Sequence, residues 1–254
     1  MFSVNPTHTT ASAVSDGGDS TLVLPSDWNA VHNPKASLTY FAFEEDFIWL
    51  NTTDLRLGSM NLDTSSVTTI SALTGVANHP GILRLSRNTG ASAFMAVKAS
   101  GTPTVPFHTR GVLRYVWVVR FSTISATSNT RVRYGLGDVD AASFGVDAVH
   151  FEFDVSISAK WRAITRASST STTVTSGAAD VAADTWYQLE ARYDSGAVSW
   201  EFFVNDASIG TSSTNIPNVM QNFGLEARNF SGSTQTYDID YMALTCKFTG
   251  NRYS

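Results

Sequence analysis

A single cysteine, Cys246, leaves no possibility of an intrachain disulfide and argues against a cysteine-based zinc centre. In its strand context it reads as a small core residue. Such a chain is expected to be made in a cytoplasm and stabilised by packing alone. Charge is also scarce, at 15% of residues, and the net value of −5 gives no electrostatic case for nucleic acid or an anionic membrane. No apolar run approaches the roughly 20 residues of a membrane span. The opening MFSVNPTHTT has neither a basic start nor an apolar stretch behind it, which argues against a conventional secretory signal. There is no glycine-rich phosphate loop, nucleophile elbow or HExxH sequence, and His8, His32, His79, His108 and His150 are too scattered to suggest a metal triad. Internal repeats, long helical patterns and heptads are missing as well.

What is abundant is serine and threonine, roughly a quarter of the chain, a composition suited to strands and turns. The clearest pattern spans Trp186 to Thr211. Tyr187, Leu189, Ala191 and Tyr193 alternate with Trp186, Gln188, Glu190 and Arg192; after Asp194-Ser195-Gly196, Val198, Trp200, Phe202 and Val204 alternate with Ser199, Glu201, Phe203 and Asn205. Period-two alternation across a short turn predicts a β-hairpin with one face in the core. The runs WYQLEARY and SWEFFVND with a closing Ile209-Gly210 resemble the concanavalin A-like lectin/glucanase superfamily, whose jelly-roll sandwich also occurs in laminin G-like modules and bacteriophage structural proteins.

Residues 1–37 read differently. They hold Pro6, Gly17-Gly18, Pro25 and Pro34 around one apolar cluster, Leu22-Val23-Leu24, and cannot form a core of their own. Within this extended arm, LPSDWNAVH (24–32) resembles a motif near the start of phage tail-fibre proteins. The resemblance implies docking on other virion proteins through Asp27, Trp28 and His32; alternatively Trp28 plugs one end of its own sandwich. Residues 38–254 form the predicted body. HPGILRL (79–85) resembles a segment of phage jelly-roll proteins, and His79 before Pro80 reads as a turn residue. Gly111 to Ser122 is the strongest strand, with Tyr115, Trp117, Val119 and Phe121 on one face, and 131–137 is expected to pair with it. Residues 149–157 and 161–167 form another hairpin. In the last strand Tyr237, Ile239 and Tyr241 alternate with Asp238, Asp240, Met242 and Leu244. Roughly a dozen short strands imply an all-β, two-sheet antiparallel jelly-roll sandwich, its first and last strands neighbours.

VHFEFDVS (149–156) is the sharpest catalytic candidate, because His150, Glu152, Asp154 and Ser156 share a face. It resembles the E-x-D-x-x-E or E-x-D-x-E strand of retaining glycosidases, in which a nucleophile and an acid/base carboxyl stand about 5–5.5 Å apart. Ser156 and Ile157 occupy the positions where the second glutamate would stand, and only a distant Glu44 or Glu45 could replace it. Polysaccharide-lyase signatures lack their decisive residues. No catalytic residue is therefore assigned and no cofactor is expected. Asp138, Asp140 and Asp147 are weak calcium candidates with no EF-hand spacing. Tyr134, Phe144 and Trp161 are aromatics that could stack on sugar, Trp161 fitting the core better. The expectation is a non-enzymatic phage virion protein, docked through its arm and presenting a lectin-like jelly roll for decoration or for adhesion to a host-surface glycan. The alternative is a carbohydrate-binding module proper. Virion proteins are the expected partners, and symmetric assembly makes a homo-oligomer the default.

Overall fold

The computed structural model describes residues 40–47, 56–57, 60–65, 69–87, 92–99, 111–122, 124, 130–140, 143–175, 180–217, 222–229 and 235–248. Every regular element among them is a strand. In chain order these are β1 (Tyr40–Glu45), β2 (Arg56–Leu57), β3 (Met60–Ser65), β4 (Thr69–Val76), β5 (His79–Arg87), β6 (Ser92–Ala99), β7 (Gly111–Phe121) and β8 (Thr130–Asp140). Then follow β9 (Ser143–Asp154), β10 (Arg162–Ala167), β11 (Thr170–Thr175), β12 (Trp186–Asp194), β13 (Ser199–Val204), β14 (Ala207–Ser212), β15 (Asn222–Asn229) and β16 (Gln235–Phe248). The arm, with Asp27, Trp28 and His32, lies outside the described residues.

The strands form two eight-stranded antiparallel sheets, the jelly-roll sandwich that the alternation predicts. The first runs β14-β13-β12-β7-β16-β5-β4, with β1 also on β16; the second runs β11-β10-β9-β8-β15-β6-β3-β2. The first and last strands are neighbours, Tyr40 opposite Lys247 and Glu45 opposite Met242. The two predicted hairpins form as β12–β13 and β9–β10.

Between the sheets the core is aromatic. Tyr115, Trp117, Val119 and Phe121 of β7 and Trp200 and Phe202 of β13 meet Tyr134 of β8, Phe151 and Phe153 of β9, Trp161, and Phe223 of β15. Trp117 packs 4.7 Å from Phe223 and Phe121 stacks 5.7 Å from Trp161, centroid to centroid. Offset and edge-on ring pairs of this kind add to the large apolar area that each ring buries.

Three local expectations are corrected. Residues 131–137 do not pair with β7: β8 belongs to the opposite sheet, between β9 and β15, so the chain crosses the sandwich between them. Val198 is not in a strand face; it occupies the hairpin turn with φ 49° and is exposed. In β16 the alternation breaks at a bulge between Ile239 and Tyr241, so Met242 and Leu244 rejoin Tyr237 and Ile239 in the core while Tyr241 faces away. Asp240 is the extra residue, and the face of every later side chain depends on it.

Candidate functional site

The outward face of the second sheet follows from its inward one. Because Phe151 and Phe153 are core residues, His150, Glu152 and Asp154 must project from the other side of β9. Register then aligns four strands: Glu226 of β15 lies opposite Arg133 of β8, Arg133 opposite Glu152 of β9, and Glu152 opposite Arg162 of β10. Charges alternate along this row and the side chains join. Arg133 donates from Nε to Glu152 Oε2 at 2.6 Å and from Nη1 to Glu226 Oε2 at 3.1 Å. Arg131 reaches Glu226 Oε1 at 3.1 Å, and Arg162 donates to Glu152 Oε1. Both carboxylates are almost fully buried, so the guanidinium partners replace the water that ionised oxygens require.

Around this ladder, each remaining candidate has a structural task. Asp154 Oδ1 accepts from the backbone N–H (3.0 Å) and hydroxyl (2.6 Å) of Ser156, closing the turn after β9. Ser156, where a glycosidase would need its acid/base, is a turn residue. Glu44 and Glu45 belong to β1 in the other sheet, and Glu45 accepts from Phe47 N–H at 2.8 Å. His150 is buried beside Gly135, its opposite number on β8. Burial first, and then the positive field of Arg133, Arg166, Arg131 and Arg162, pushes its pKa well below the usual imidazole value, so the ring is neutral at pH 7. Gly135, at φ +153°, allows the close approach; a Cβ there would stand 2.4 Å from the Val149 carbonyl oxygen.

The aromatic and calcium candidates lie on β8, on β9 and just before β10. Tyr134 and Trp161 are sealed in the inter-sheet core and present no ring face to a ligand. The backbone of Phe144 runs in β9 and that of Asp138 and Asp140 in β8, but their side chains lie outside the described residues. Asp147 is buried and accepts from Ser168 N–H at 3.1 Å, holding the turn between β10 and β11. Among the described residues no three His, Cys, Asp or Glu side chains come together as a metal site.

The outward face of the first sheet carries a second cluster that the sequence reading missed. Asp238, fully buried, receives Arg84 (Nε to Oδ1, 2.7 Å) and Arg120 (Nη2 to Oδ2, 2.6 Å). The Arg120 guanidinium lies 4.7 Å from the Trp186 ring centroid, and the His79 imidazole stacks on the same indole at 4.2 Å. His79 Nδ1 is 2.9 Å from Asp240 Oδ2, so the predicted turn residue also anchors the β16 bulge. Burial pushes the Asp240 carboxyl up, against the lowering effect of that bond. These partners come from β5, β7, β12 and β16, and only the strand register brings them together.

No protein-family profile matches the chain, and no curated protein matches it. Solved structures do share its fold. A protein of unknown function from Shewanella oneidensis MR-1 superposes with a TM-score of 0.63 at 14% identity, covering 91% of this chain and 97% of that one. The Emp47p carbohydrate recognition domain gives 0.59 at 10% identity, over 83% and 96% of the two chains. An endo-1,3-beta-glucanase from Streptomyces sioyaensis gives 0.55 at 12% identity, over 83% and 97%. At such identities the likeness is one of fold, and that fold hosts both binding proteins and enzymes.

Proposed function

We propose that the chain is a non-enzymatic, lectin-like recognition module of a bacteriophage virion, fixed through residues 1–37 and presenting its jelly roll to a surface glycan. One observation carries the non-enzymatic part. On the strand that resembles the glycosidase signature, both oxygens of Glu152 are bonded to Arg133 and Arg162, and Asp154 is committed to a turn. A carboxylate held between two cations is a scaffold element rather than a nucleophile, and the second carboxylate of the row, Glu226, is tied in the same way to Arg131 and Arg133. Glycan recognition is supported by the shared fold with the Emp47p domain. The virion setting is supported by the LPSDWNAVH and HPGILRL resemblances.

The test uses the full chain on a broad glycan panel and on intact bacteria, with and without calcium. Saturable binding competed by one sugar is the expected result. Binding to nothing would remove the lectin reading and leave a decoration protein. Reducing sugar released from any glycan, and abolished by Glu152→Gln, would overturn the non-enzymatic assignment. Deleting residues 1–37 is expected to abolish incorporation into particles; undiminished incorporation would remove the docking role.

A further inference from the structure

We propose that the outward face of the second sheet is a docking surface for this chain's own arm, residues 1–37, laid across β8, β9 and β10. Both sheets carry the same motif on their outward faces, two arginines clamping one glutamate, and only one of them leaves it open to water. On the first sheet Arg114 donates from Nε to Glu190 Oε1 at 2.6 Å, and Arg192 donates from Nε to the same oxygen. Their side chains remain 43% and 50% exposed. On the second sheet Arg133 and Arg162 clamp Glu152, and their side chains are only 11% and 13% exposed. A side chain on a bare sheet face has neighbours in its own plane alone, and its tip meets water.

The burial extends beyond the ladder. Gly224, Gly135, His150 and Ile164 stand opposite one another across β15, β8, β9 and β10, and one row further Gly137 faces Ala148. All of these are buried, although every described strand belongs to one of the two sheets and none lies over this row. A floor of glycine and alanine lets another stretch of backbone come close. Arg162 Nε is buried and makes no hydrogen bond among the described residues, which leaves a donor for the covering segment.

Length and charge select the arm. Residues 48–55 join β1 to β2, and β2 stands at the far end of the second sheet from β9, with β3, β6, β15 and β8 between them. That distance is roughly 24 Å at strand spacing, and so short a segment, about 30 Å when extended, cannot cover it and return. Residues 100–110 and 249–254 carry Arg110 and Arg252 as their only charges. The face already sets Arg131, Arg133, Arg162 and Arg166 against Glu152, Asp154 and Glu226, and further cations would meet their like. The arm has the opposite balance, with Asp16, Asp19 and Asp27 against Lys35 alone. Extended, it reaches over about 100 Å, ample to round the edge of the sandwich. The face that holds the glycosidase-like strand is thereby closed by the chain itself.

The experiment uses the full chain with the photoreactive p-benzoylphenylalanine in place of Trp28. Irradiation is expected to give cross-links within one chain, which peptide mapping places on residues 131–137, 148–154 or 162–166. Phenylglyoxal, an arginine reagent, supplies a second reading. In the parent protein Arg133 and Arg162 should be modified roughly tenfold more slowly than Arg114 and Arg192, because the reagent reaches them only when the cover opens. The D16N/D19N/D27N variant removes the arm's anions and alters no residue of either sheet. It should still melt cooperatively, and modification of Arg133 and Arg162 should rise toward the rate of Arg114 and Arg192, which stays unchanged. Cross-links confined to the first sheet or to a second copy, a parent ladder modified as fast as Arg114 and Arg192, or a triple variant with the parent's slow rate would each overturn the proposal. None of these readings depends on glycan or particle binding, so this inference and the proposed function fail separately.

Discussion

His150 is a base that the fold holds uncharged, and this gives stability a direction with pH. Its folded pKa lies below the unfolded value of about 6.5, so above that pH neither state carries the proton. As pH falls below about 6.5 the unfolded chain gains a proton that the folded one resists, and stability declines down to the folded value, by up to about 1.4 kcal/mol per pH unit. Asp240 has the opposite sign, since its raised pKa favours the folded state as acid is added, but it acts in the carboxylate range. The urea midpoint is therefore expected to fall between pH 7.5 and 5.5, and His150→Gln to flatten that fall. An equal slope in the variant would locate the titration elsewhere. Glu152 makes a second residue-scale case. Glu152→Gln takes from Arg162 the carboxylate it is bonded to and leaves Arg133 with Glu226 alone in a buried row, and about 3 kcal/mol of unfolding free energy should be lost. A denaturant titration that finds less than 1 kcal/mol would mean that solvent reaches the ladder.

At the scale of elements, one extra residue in β16 sets the bulge after which Met242 and Leu244 face the core. Asp240→Ala removes the bond to His79 and should cost about 1 kcal/mol, the ordinary value for such a contact. Deleting Asp240 removes the extra residue itself: Tyr237, Ile239, Met242 and Leu244 then fall in strict alternation and keep their places in the core. Substitution and deletion should therefore both melt cooperatively in a thermal scan; a deletion variant that does not fold would mean that the bulge does more than absorb one residue. Elements were also where the sequence was most and least legible. The faces of β7, β12 and β13 were readable because their alternation is strict and their inward residues are large. The bulge was not, since TYDIDYMAL alternates convincingly in either phase and nothing local says where the phase slips. Val198 failed for a similar reason, being apolar in type yet placed in a turn.

Over the whole molecule, the limit on reading was register between distant strands. Alternation says that Arg133, Glu152, Arg162 and Glu226 face outward, but not that they stand in one row. It gives no hint that Arg84, Arg120 and Trp186 share Asp238's neighbourhood. The crossing from β7 to β8 was invisible too, because a loop that changes sheets has the same composition as one that closes a hairpin. These non-local pairings also set folding speed, since β1 must find β16 across nearly the whole chain. Refolding from urea, followed by the fluorescence of the buried Trp117, Trp161 and Trp200, is expected on the scale of milliseconds to seconds or slower. A microsecond phase with full amplitude would contradict this topology.

The partnership of β1 with β16 has a mechanical side. Tyr40 lies opposite Lys247, so the two strands present their outer ends at the same point of the sheet. A load applied between those ends does not shear six residue pairs at once; it peels them apart one after another, like a strip lifted from one corner. Pulled in this direction the sandwich should yield at low force, with β1 released first and β16 still clasped by β7 over Gly111–Phe121. Pulled between Thr69 and Thr175, on different sheets, the same fold should hold until the aromatic core itself gives way.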